Sequence, residues 1–217
     1  MKVIALDIET KNLDMAADNL SFNEPRGWLV SCVSVWDAGV LSENDYNYAH
    51  LAEIPEAVRV AYRVESFETL KHDLEEWYSE GYLLLTKNGA KFDLPIISKP
   101  ISEGGCGVAE IVQKFEESGQ HLDLQVWLED ATHGLRFSLQ ELVKGVLGES
   151  QSKLMEAQFA PAEWNAGNYS EVIEYCAKDS ELTFLVWQVA RNKGSLQAVA
   201  KNVETNQYDS CFVRISW

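Results

Sequence analysis

A chain of 217 residues with a hydrophobic fraction of 46%, seven Trp and eight Phe has the composition of a folded globular protein with a sizeable core, and no uninterrupted apolar run approaches the roughly 20 residues of a membrane span. Its 34 acids against 18 bases leave a net charge of -16, which argues against a protein that grips nucleic acid through a broad basic face. The first residues lack the basic-then-apolar pattern of a secretory signal, and Cys32, Cys106, Cys176 and Cys211 lack CxxC spacing, so reduced thiols in a cytoplasmic protein of one domain, 1–217, are expected.

The chain opens on KVIALDIET, Lys2 to Thr10, an apolar run that predicts a buried strand. A polar stretch from Lys11 to Gly27 follows, and then WLVSCVSVWD, whose alternation and β-branched residues predict a second strand. A third strand is expected within Val40 to His50. SFETLKHDLEEWYSEG places Phe67, Leu70, Leu74 and Trp77 at helical spacing, with Ser66 as a candidate cap and Gly81 as terminator. Tyr82 to Asn88 is a short apolar strand stopped by Asn88-Gly89. FDLPIISKPI starts a helix that Pro95 can open, interrupted by Pro100 and the glycines at 104, 105 and 107. VAEIVQKFEESG and SLQELVKGVLG predict two further helices, HLDLQVW is ambiguous, and the longest helix runs from Ser170 to about Asn192. DSCFVRISW closes the chain as a strand. Strands precede and separate helices, so the fold class is α/β.

Asp7 and Glu9 stand two apart in the first strand and so share one face, about 6 to 7 Å apart along the axis. Carboxylates held that close repel unless a cation sits between them; alone, the pair is equally the solvated end of a strand. NGAKFD, Asn88 to Asp93, puts an acid after a strand and an Asn-Gly turn, where a helix-start aspartate is also at home. YCAKD puts Tyr175 and Asp179 four apart, on one face of the long helix.

That ordered set of DxE, NxxxFD and YxxxD resembles the DEDD superfamily of 3′ to 5′ exonucleases, the group of DnaQ-like proofreading domains and ribonuclease D. The likeness runs from Val3 to about Gly194. Tyr175 ahead of the last acid, with Glu174 where the histidine branch carries its histidine, points to the tyrosine, or DEDDy, branch. SLQELVKGVLG, Lys153 and Trp164 are more loosely similar to ribonuclease D-like members, and Asn12 stands where many members carry glycine, a mild change since Asn tolerates a left-handed backbone.

The resemblance implies a ribonuclease H-like mixed central sheet flanked by helices and a site for two divalent cations, Mg²⁺ or Mn²⁺, held by Asp7, Glu9, Asp93 and Asp179; an all-oxygen donor set suits such hard cations. Tyr175 would orient the attacking water, since a phenol with an ordinary pKa of about 10 is a poor free base at neutral pH. Thr10, Leu13, Asn88 and Phe92 would touch the terminal nucleotide, although ordinary core packing is the more usual role of a residue like Phe92 and Leu13 is evenly balanced between the two. The implied substrate is the 3′ end of single-stranded nucleic acid, DNA slightly ahead of RNA, with no membrane role and with a polymerase, helicase or other protein as a candidate partner. A non-catalytic nucleic-acid-binding or scaffolding module of the same fold, or an RNase H-like endonuclease, are the alternatives. Lys87, Lys91, Lys99, Arg136 and Lys153 are candidates for a local basic rim, Asp123 for a helix cap or for a residue that orients the metal ligands.

Overall fold

In the computed structural model the described residues are 1–13, 16, 18–40, 58–148, 155–201 and 208–214. The apolar opening forms β1 (Lys2–Thr10), which lies at the centre of a five-stranded mixed sheet. It pairs antiparallel with β2 (Val30–Val40), which pairs antiparallel with the edge strand β3 (Val58–Tyr62). On its other side β1 runs parallel to β4 (Leu83–Thr86), and β4 runs parallel to β5 (His121–Asp123). The order is β3-β2-β1-β4-β5, and helices cover both faces.

Side chains alternate along β1, and the alternation sorts the core into two layers. Ile4, Leu6 and Ile8 pack with α1 (Phe67–Ser79), α2 (Asp93–Ile97) and α3 (Ala109–Glu117). Val3 and Ala5 pack on the opposite face with α4 (Leu124–Thr132), α5 (Leu139–Val146) and α7 (Tyr169–Lys193). Asp7 and Glu9 share the parity of Val3 and Ala5, so they emerge on the α7 side. A short helix, α6 (Ala160–Asn165), precedes α7. Beyond Gly194, β6 (Ser195–Lys201) and β7 (Tyr208–Arg214) form an antiparallel hairpin whose Leu196, Ala198 and Val213 close the α5–α7 layer.

The predicted helices at 66–81, 108–119, 138–148 and 170–192 are present with their ends moved by a few residues. Ser66 flanks α1 but its hydroxyl bonds back to the Arg63 backbone rather than capping the helix, while Ser138 and Glu141 form a reciprocal capping box on α5. HLDLQVW divides between β5 and α4, with Asp123 as both the last strand residue and the helix cap. The second strand starts at Val30 instead of Trp28. Of the third strand expected within 40–50, Val40 ends β2 and positions 41–50 lie outside the described residues; the strand that pairs with β2 is β3. No helix among the described residues is long and apolar enough to cross a membrane.

Candidate functional site

β1 and α7 cross where their acids meet. Asp7, Glu9 and Asp179 each offer a carboxylate oxygen, and the three oxygens lie within 4.8 Å of one another. Glu9 and Asp179 are only 8% and 4% exposed, so their charges have little water to dilute them. α7 is buried along most of its length from Val172 to Ala190, which fixes Asp179 on a rigid element. One turn earlier Tyr175 hydrogen-bonds Asp179, and burial followed by the nearby charges of Asp179, Glu9 and Asp7 holds its phenol far above the ordinary range. At neutral pH Tyr175 is therefore a hydrogen-bond donor.

The three acids line a cavity of about 700 Å³, as does Asp93. Asp93 starts α2, and burial, reinforced by the charge of Asp123 and opposed by Lys87, pushes its carboxyl up to about 8. It shares the cavity with the other acids without joining the three converging oxygens.

The turn that carries Asp93 is organised by Asp123. One carboxylate oxygen of Asp123 accepts from the amides of Asn88 and Gln125, both at 2.8 Å, and the other accepts from the amide of Ala90 at 2.8 Å. Asn88 adopts a left-handed backbone, φ 66°, and a Cβ at Gly89 would come within 2.5 Å of Thr86, so the Asn-Gly pair is what lets the chain turn this tightly.

Thr10, Leu13, Asn88 and Phe92 all line the cavity. Thr10 is buried and Leu13 is 64% exposed. Phe92 packs on the core beside α2 and also lines the cavity. Asn12 lines the cavity too; its side-chain oxygen accepts from Leu29 N at 2.7 Å, tying the segment after β1 to the start of β2.

Two aromatic residues outside the sequence motifs join the site. Phe22, 64% exposed, stacks on Trp28 with ring centroids 5.1 Å apart, and both pack on Phe92 at 5.5 and 5.4 Å. All three line the cavity, which therefore carries an aromatic wall beside its acids. Cys176, a buried free thiol, donates to the main-chain oxygen of Asp7 at 3.4 Å and to its carboxylate at 3.7 Å. Burial pushes this thiol well up, which keeps it a donor.

The expected basic rim divides. Lys87 lines the cavity. Lys91 and Arg136 do not line it and both pair with Glu129, at 2.6 and 3.1 Å, while Arg136 also donates to the side chain of the lining residue Asn88 at 3.0 Å. Lys99 is not a rim residue: it is 8% exposed and spends its ammonium on backbone carbonyls. Lys153 lies outside the described residues, and Trp164 packs on Tyr169 at 4.6 Å and against the cluster of Cys32, Ala160, Val172, Tyr175 and Cys176. No protein-family model matches the sequence, and no curated protein matches it either.

Proposed function

We propose that this protein is a two-metal-ion 3′ to 5′ exonuclease of the DEDDy branch, acting on the ends of single-stranded nucleic acid with DNA ahead of RNA. The observation that carries this reading is the meeting of Asp7, Glu9 and Asp179 within 4.8 Å, with Tyr175 bonded to Asp179, inside a cavity large enough for a ligand. Three carboxylates gathered with so little solvent are stabilised by a shared proton or by a cation between them, and their oxygen-only donor set fits Mg²⁺ or Mn²⁺. Asp7, Glu9 and Asp179 would hold one cation, and Asp93 would serve a second. Such cations, when bound, lower the pKa of a water nucleophile and neutralise the leaving oxygen of a phosphodiester.

The chain's own residues divide the rest of the work. Tyr175, kept protonated, orients the attacking water by its hydroxyl. Cys176 and the buried helix behind it fix the Asp7 carboxylate. The aromatic wall offers a face to a nucleobase, and Lys87 and Asn88, which line the same cavity, offer donors to phosphate. A cavity of about 700 Å³ is in the range that encloses a single compact ligand, which favours a chain end over a long duplex.

A ribonuclease H-like assignment is supported by the strand order, with β1 central and β2 as the one strand running against the rest. The net charge of -16 favours weak, end-directed binding, with a polymerase, helicase or other protein supplying affinity. Three buried free thiols, Cys32, Cys106 and Cys176, fit a cytoplasmic setting. The deciding experiment incubates 5′-labelled single-stranded DNA and RNA oligonucleotides with Mn²⁺ or Mg²⁺, beside EDTA and Asp179→Ala controls. A ladder shortening from the 3′ end and lost in both controls is expected. Intact substrate under every metal condition, or a failure of Mn²⁺ to bind at a site that Asp7→Ala removes, would favour the binding module, and cutting of circular single strands would favour the endonuclease.

A further inference from the structure

Lys99 follows α2 and is among the most buried charged residues of those described, yet among the described residues no carboxylate lies in ion-pair contact with its ammonium, the Glu103 charge acting on it from further off. Its Nζ donates instead to three main-chain oxygens: Arg26 at 2.9 Å, Trp28 at 2.5 Å and Glu103 at 3.1 Å. Two of these belong to the segment that enters β2 and carries Trp28. Arg26, Leu94, Ser98 and Lys99 also border a second cavity of about 460 Å³, so Lys99 joins α2 to the segment that enters β2 beside the core packing of the Trp28 ring. Trp28 in turn holds Phe22: its indole N–H donates to Ser21 O at 3.1 Å, and its ring stacks on the Phe22 ring. Val30 N bonds to Gly104 O at 2.9 Å, tying the same segment to the turn that follows Lys99.

We propose that Lys99 is a positioning residue, whose buried ammonium sets the distance and tilt of the Phe22–Trp28 wall so that the wall takes the 3′-terminal nucleobase while its phosphodiester faces the acids. The inference rests on the exonuclease reading. Lys99 touches neither substrate nor acids; its effect passes from the Trp28 carbonyl through the indole to Phe22. Stacking on an exposed aromatic ring discriminates a base from no base, a difference worth about tenfold in binding.

The test compares KM and kcat for a 5′-labelled single-stranded DNA oligonucleotide with the same strand bearing a 3′-terminal abasic residue, for the wild type, Lys99→Met and Phe22→Ala. The wild type is expected to bind the abasic end about tenfold more weakly. Both variants should lose most of that preference, through KM far more than kcat, and combining them should add little, because the two substitutions remove one interaction. Thermal melting and Mn²⁺ titration report separately that fold and acid site persist; Lys99→Gln, which keeps a donor for the carbonyls, is the milder variant should Lys99→Met not fold. A folded Lys99→Met protein with the wild-type preference overturns the proposal, as does a wild type indifferent to the missing base. A wild type that degrades neither strand with any metal fails the exonuclease reading instead, and this inference with it.

Discussion

Asp123→Asn is the substitution whose cost the structure lets us work out most fully. The carboxylate accepts three amides at 2.8 Å, two from the Asn88–Ala90 turn and one from α4. The asparagine can keep one oxygen on Asn88 and Gln125, as neutral bonds, but its NH₂ then faces the Ala90 N–H, donor against donor. Hydrogen bonds to a charged group contribute about 1.5 to 3 kcal/mol each, and a buried donor left unmet costs about 1 to 3 kcal/mol. Against this stands relief of the repulsion between Asp123 and Asp93. A net loss of about 2 to 4 kcal/mol is expected, or a fall in Tm of about 5 to 15 °C for a chain of this size. Urea unfolding in EDTA measures it directly, free of any cation. A loss below about 0.5 kcal/mol would refute the account, because it would mean that the Asn88–Ala90 turn holds its shape without the carboxylate.

Asp93 makes stability depend on pH in a direction opposite to that of an ordinary salt-bridged acid. Its native pKa of about 8 exceeds the unfolded value of 3.8, so between the two the native state keeps a proton that the unfolded chain has lost, and stability falls as pH rises through that window, by at most about 1.4 kcal/mol per unit. In EDTA, Asp93→Asn is expected to flatten this slope between pH 5 and 8; parallel curves for the two proteins would contradict it. Tyr175→Phe should lower kcat by about a hundredfold with little change in KM, and the pH–rate profile up to pH 9 should keep its shape, since the wild-type phenol does not ionise there. A rate unchanged by the substitution would remove Tyr175 from the site's chemistry.

What the sequence discloses tracks how local the cause is. β1, β2 and β4 are apolar runs, and α1, α3, α5 and α7 carry their periodicity or punctuation in consecutive residues, so each is legible alone. β3 is not, because VRVAY is a five-residue edge strand with most side chains exposed, and its identity comes from pairing with β2. β6 follows α7 after a single left-handed glycine, Gly194, and is a strand because β7 returns to pair with it. At the site, the acids and Tyr175 could be placed because strand and helix periods put them on shared faces. Phe22 could not: it stands alone in a polar stretch, and its neighbour Trp28 is brought to it by a turn with no hydrophobic pattern. Lys99 misleads by its type, since charge predicts surface. Its signal is the glycine cluster after it, where a Cβ at Gly105 would come within 2.2 Å of the Lys99 carbonyl oxygen, the mark of a chain folded tightly around a buried group.

Acids and wall are held by separate means, and that separation has a physical logic. Asp7, Glu9 and Asp179 repel one another without a cation, so they need elements that do not yield: the central strand of the sheet and a helix buried over most of its length. The wall needs the opposite property, a ring that is solvent-exposed and available to a partner, and an exposed phenylalanine has little packing to fix it. Phe22 is therefore steadied from behind, by a neighbouring indole whose backbone is gripped by a buried ammonium. A perturbation of the acids should thus leave the wall in place, and loosening the wall should leave the acids in place. Metal affinity and base preference would then vary independently across variants. Were they to rise and fall together, the two would have to be mechanically coupled through a short stretch of chain that contributes to both, either Glu9 to Asn12 at the end of β1 or Phe92 and Asp93 at the start of α2.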